Sequence, residues 1–162
     1  MVSVVNGVGL PGEAPTVGAM LAIGVAGWSG AGKTTLIERL IPWFTTRGLS
    51  VSVVKHAHHR FDIDRPGKDS WRHREAGASE VLITSSGRWA LLHELRDGEA
   101  EPPLATQLAR LAPCDLVLVE GYRDADLPKL EVHRPAVGQR LLAPADPAVI
   151  AVATDVPAAA VA

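Results

Sequence analysis

Gly27-Trp28-Ser29-Gly30-Ala31-Gly32-Lys33-Thr34 holds glycine, lysine and hydroxyl in the register that phosphate binding requires. The glycines let the backbone curl tightly, so the N–H groups of Gly27, Ser29, Gly30, Ala31 and Gly32 turn toward phosphate oxygens. Lys33 is placed to bridge a β- and a γ-phosphate, and the Thr34 hydroxyl to ligate Mg²⁺. Thr35 follows as a helix residue near the α-phosphate. The chemistry predicted is the binding of a nucleoside phosphate.

Such a loop works only between a strand and a helix. Met20–Ala26 has the composition of a buried strand, and Thr35–Ile41 carries apolar residues at helical spacing. The helix that begins near Lys33 adds its positive dipole end. Further strands are predicted at 49–55, 81–84, 89–93, 115–121, 129–133 and 149–154. Helices are predicted at 69–76 and 102–111, the second with proline in its first turn. This order predicts an α/β fold of the P-loop NTPase kind, a mostly parallel central sheet flanked by helices. Ser85-Ser86-Gly87-Arg88 joins two of the strands as a β-hairpin insertion.

Nucleotides in such sheets lie at the carboxyl ends of the strands. Glu120 ends the apolar run Leu116–Val119, placed to hold Mg²⁺ or to orient an attacking water, and Gly121 lets a backbone approach phosphate. The polar segment 55–70 follows the second strand and is expected beside the loop. Its Asp62 and Asp64 are candidates for outer-shell Mg²⁺ contacts or for positioning water, and Lys55, Lys68 and Arg72 for phosphate. His56, His58 and His59 have two open readings: ligands of zinc or nickel, or histidines bonding locally in a solvated loop. Asp155 is likewise either an acceptor for guanine N1 and N2 or an ordinary strand-end turn. Asn6 is the only asparagine, which excludes the Asn-Lys-x-Asp guanine clamp of Ras-like GTPases. Lys33 is the only lysine of the loop, which excludes the partitioning-type ATPases.

A length of 162 residues suits one nucleotide-binding domain over 20–162, with residues 1–19 read as a disordered leader unlike a secretory signal. A net charge of −2 gives no electrostatic drive toward nucleic acid or an anionic membrane. Every apolar run is too short for a helical membrane span. The single cysteine, Cys114, excludes an intrachain disulfide and fits a reducing cytoplasm.

Gly27–Thr35, the stretch from Val54-Lys55-His56 to Ala76-Gly77-Ala78, Glu120-Gly121-Tyr122-Arg123 and Pro128–Arg134 together resemble the MobB family. These are molybdopterin-guanine dinucleotide biosynthesis adaptor proteins. The segment running into Pro66-Gly67-Lys68-Asp69-Ser70 and Arg72 is more distinctive than the loop alone. The resemblance implies a P-loop protein of the GTPase superclass, usually a homodimer, that binds GTP with Mg²⁺ and hydrolyses it slowly. It also implies a partner, MobA, which joins GMP to molybdopterin. The family's phosphate and magnesium roles fall on Gly30, Gly32, Lys33, Thr34 and Glu120. From charge, Lys55, Lys68, Arg72, Arg123 and Lys129 are candidates for pterin phosphate or GTP. Two other functions fit parts of the pattern: a GTP-dependent metallochaperone using the histidines, and a small-molecule kinase with an arginine-rich lid.

Overall fold

The computed structural model describes residues 16–17, 20–57 and 61–157. They form two compact units. The larger joins the residues up to 58 with those from 104 onward, and the smaller spans 59–103.

The larger unit is built on a six-stranded sheet. Its strands are β1 (Thr16–Val17), β2 (Met20–Ala26), β3 (Val51–Lys55), β6 (Leu116–Glu120), β7 (Lys129–His133) and β8 (Val149–Thr154). The order is β3-β6-β2-β7-β8, all parallel, while β1 pairs antiparallel with the start of β2. All five residues of β6 are buried, the signature of a central parallel strand covered on both faces.

The alternation of a strand sorts those residues onto two sides. Leu116 and Leu118 pack with Ile37, Leu36, Leu40 and Phe44 of helix α1 (Lys33–Thr45). Val117 and Val119 pack with Leu104 and Leu108 of helix α3 (Leu104–Leu108). Glu120 continues the parity of Leu118, so its side chain emerges on the α1 face. Helix α3 is shorter than the segment predicted over 102–111. Beyond Leu108 the amides of Arg110 and Leu111 bond three residues back, closing tight turns as the chain approaches Pro113.

In the smaller unit, helix α2 (Asp69–Glu75) is followed by β4 (Glu80–Thr84) and β5 (Trp89–His93), paired antiparallel as the predicted hairpin. The Ser85 amide donates to the Arg88 carbonyl across the turn. Arg74 clamps this unit, meeting Asp62 at 2.9 Å, Asp64 at 3.4 Å and Glu94 at 2.7 Å.

Candidate functional site

The register of the sheet decides what meets the glycine loop. Lys55 pairs with Glu120 across β3 and β6, and Glu120 with Val25 across β6 and β2. The ends of three strands therefore align where β2 passes into residues 27–32. Gly27 turns there with φ +140, and a side chain at this position would strike the Val132 carbonyl. Gly32 caps α1 in the left-handed region, and the first helical bond runs from the Leu36 amide to its carbonyl. Amides at the start of α1 are thus left for a ligand. Lys33 folds back over the loop, donating from Nζ to the carbonyls of Gly27 at 2.9 Å and Trp28 at 3.0 Å.

Thr34 and Glu120 meet. The threonine hydroxyl donates to Glu120 Oε1 at 3.1 Å, joining positions 86 residues apart in the chain. Glu120 is buried, and its second oxygen lies 3.8 Å from the exposed Lys55 ammonium. Its carbonyl accepts the His56 amide at 2.8 Å. At Gly121, φ is +94, and a Cβ there would lie 2.8 Å from the His56 carbonyl oxygen. Two hard oxygen donors beside a lysine and a glycine loop form a set that suits Mg²⁺ and phosphate.

Other predicted residues fall in different settings. Asp155 ends β8 in a turn, where Oδ2 accepts from Arg134 Nε at 2.8 Å. Arg134 is also close to the loop, since a Cβ on Gly32 would sit 3.7 Å from its guanidinium. Asp62 and Asp64 belong to the smaller unit and are engaged with Arg74. The hydrogen bond from Arg74 holds the Asp62 carboxyl below its ordinary range. His58 and His59 lie outside the described residues. Among the described residues, no three His, Cys, Asp or Glu side chains are grouped to hold a metal.

Lys129 is not a surface cation. It is 4% exposed, and its Nζ meets Asp146 Oδ2 at 2.8 Å. That hydrogen bond holds the Asp146 carboxyl below the usual aspartate range. Glu131, on the same face of β7, is fully buried and accepts the amides of Leu142 and Ala143, each at 2.8 Å. These contacts pin the chain between β7 and β8 over the sheet.

Sequence reasoning missed Glu131, Arg134, Arg140 and Asp146. The only available signal was the alternation Lys129-Leu130-Glu131-Val132-His133, whose polar positions mark a face needing partners. The pinned segment also reaches the glycine loop. Trp28 Nε1 donates to the Arg140 carbonyl at 2.8 Å, and the Arg123 guanidinium lies 5.1 Å from the Trp28 ring centre.

Residues 22–155 match the family described as "Molybdopterin guanine dinucleotide synthesis protein B". A molybdopterin-guanine dinucleotide biosynthesis adapter protein of Haemophilus influenzae is 44% identical over 135 residues. That alignment covers 83% of this chain and 75% of the relative. Its Escherichia coli counterpart is also 44% identical, over 82% of this chain and 77% of the relative. The crystal structure of Bacillus subtilis MobB superposes with a TM-score of 0.57 at 28% identity. It covers 69% of this chain and 67% of that one. With its parallel sheet, glycine loop and Thr34–Glu120 contact, this chain has the P-loop NTPase fold and belongs to the MobB family.

Proposed function

We propose that this chain is a GTP-binding adaptor with slow, Mg²⁺-dependent GTPase activity. In this reading it acts as a cytoplasmic homodimer and assists MobA in attaching GMP to molybdopterin. The observation that carries the reading is the 3.1 Å contact between Thr34 and Glu120 beside Lys33. The adapter role is supported by the names of its 44%-identical relatives.

Mg²⁺ bound at the Thr34 hydroxyl and the Glu120 carboxylate would neutralise charge on the β- and γ-phosphates. The remaining work falls to the chain's own groups. Lys33 exchanges the carbonyls of Gly27 and Trp28 for phosphate oxygens, and the amides of the loop and of the α1 start cradle the same anion. Lys55, within reach of Glu120, keeps that carboxylate oriented along the strand end. Asp155, held by Arg134 just after β8, would have to turn from that partner to accept the guanine edge. Hydrolysis is slow because the arginine beside Gly32, Arg134, is committed to Asp155. A free arginine acting on the transition state is worth about 10³–10⁵ in rate.

Calorimetric titration of GTP·Mg²⁺ and ATP·Mg²⁺, with and without MobA, tests the reading. Lys33→Ala is expected to lose at least about 100-fold in nucleotide affinity with the fold intact, because the lysine packs on its own loop and not in the core. Glu120→Gln should reduce hydrolysis and Mg²⁺ dependence more than affinity. Wild-type affinity in Lys33→Ala would remove the assignment, and a strong preference for ATP would favour a kinase.

A further inference from the structure

Beside Trp28, on the flank of the glycine loop, an open cavity of about 310 Å³ is lined by Arg123, Lys129, Arg140, Leu142 and Asp146, with Asp124 at its rim. Its size falls at the small end of the range that holds small molecules, about 300–1,000 Å³. The charges do not cancel. Lys129 and Asp146 neutralise one another at 2.8 Å. Asp124 is almost fully exposed and only 3.9 Å from Arg123, a weak solvated pair. Among the described residues Arg140 meets no carboxylate, so the cavity keeps an excess of guanidinium charge.

We infer that this cavity is a second anion site, built to hold the phosphate group of a small molecule other than the loop-bound nucleotide. Two guanidiniums present forked donors, which match a tetrahedral dianion better than the point charge of a lysine does. The amide of Leu142, which could have served a ligand, is already given to Glu131, so the arginine forks are the recognition elements. The wall is rigid on one side, because Lys129 and Glu131 anchor residues 142–146 to β7. On the other side its lining residues Arg123 and Arg140 touch a phosphate-loop residue. Trp28 is held through its Nε1 by the Arg140 carbonyl and faced by Arg123. A phosphate drawing Arg123 inward would therefore alter the packing of Trp28, and the indole would report it. The role of this site as the seat of a second substrate rests on the nucleotide reading above. Its anion chemistry does not.

The experiment uses the full chain carrying Lys33→Ala, which weakens the phosphate loop as a competing anion site. Ribose 5-phosphate, ribose and inorganic phosphate are titrated while Trp28 fluorescence is recorded, with Trp28→Phe as the blank for the other tryptophans. The expected result is saturable binding of ribose 5-phosphate, no response to ribose, and at least a tenfold loss of affinity on adding Arg140→Ala. Arg140→Lys, which keeps the charge and removes the fork, should lose less. Inorganic phosphate binding as well as the ester would identify free phosphate as a sufficient source of the same group. Absence of saturable binding by either phosphate would overturn the inference, as would binding that survives both Arg140→Ala and Arg123→Ala. Circular dichroism melts establish that these exposed-arginine variants stay folded. A parallel GTP titration of the wild-type chain reads the glycine loop alone, so failure of either site is seen separately.

Discussion

β6 and β5 are both short and largely apolar, Leu-Val-Leu-Val-Glu and Trp-Ala-Leu-Leu-His, yet they live in opposite surroundings. Every residue of β6 is buried, whereas Trp89 of β5 is 69% exposed and Leu91 47%. The cause is neighbours. β6 has parallel partners on both edges and contributes to core clusters on both faces. β5 pairs with β4 alone, and an isolated two-stranded ribbon cannot bury its own apolar faces. The larger unit is therefore held by hydrophobic burial, and the smaller leans on the ionic clamp of Arg74. The Thr34–Glu120 contact sits with the buried strand. Glu120 is directed toward Thr34 by a strand whose four preceding residues are buried and paired on both edges.

The sharpest way to break this contrast is to put the same charge in β6 and in the β4–β5 hairpin. Leu118→Asp, at 2% exposure, should cost about 4 kcal/mol or more and abolish the cooperative melt of the larger unit. Leu82→Asp, at 60% exposure in β4, should stay within about 0.5 kcal/mol in the same denaturant series. Glu131→Gln ranks next. The amide puts a donor against an N–H of Leu142 or Ala143, and about 2 kcal/mol should be lost in urea unfolding.

Arg74→Ala tests the other side of the comparison. Removing the clamp frees Asp62, Asp64 and Glu94, and amide exchange should quicken in β4 and β5 while Leu116–Glu120 keeps its protection. The smallest effect is a pH dependence confined to the hairpin. Hydrogen bonds donated by the His93 ring to Glu80, then Glu99, raise its pKa above the ordinary 6.5. The stabilisation is full below about 6.5 and is lost as pH rises through the higher folded value. Protection factors in β5, taken relative to intrinsic base-catalysed exchange, should therefore fall between neutral and alkaline pH, and His93→Gln should flatten that profile.

Much of this was legible in the chain itself. The glycine loop, the strand before it and the helix after it are local in sequence, and local pattern suffices for them. Glu120 could be read because an acid closing a buried apolar run has few uses other than at a strand end. The hairpin followed from Ser85-Ser86-Gly87-Arg88 between two apolar runs. Arg134 beside Gly32, Glu131 under Leu142 and Arg140 on Trp28 were not legible. Each joins residues whose meeting depends on how loops cross the sheet.

By itself the sequence determined which residues are chemically equipped: a loop with the glycine, lysine and hydroxyl pattern suited to phosphate, an acid ending a buried strand, and the pattern that resembles the MobB family. Periodicity and residue type carry that information, because they act over a few neighbouring residues. Only the tertiary structure decided which groups are left to act. It took Lys129 out of solution by setting it against Asp146, tied Asp155 to Arg134, and left the guanidiniums of Arg123 and Arg140 facing a cavity beside the loop. The physical reason is that a charge's availability depends on its partners. Partners distant in sequence are assigned by the register of the sheet and by the path of the chain across it.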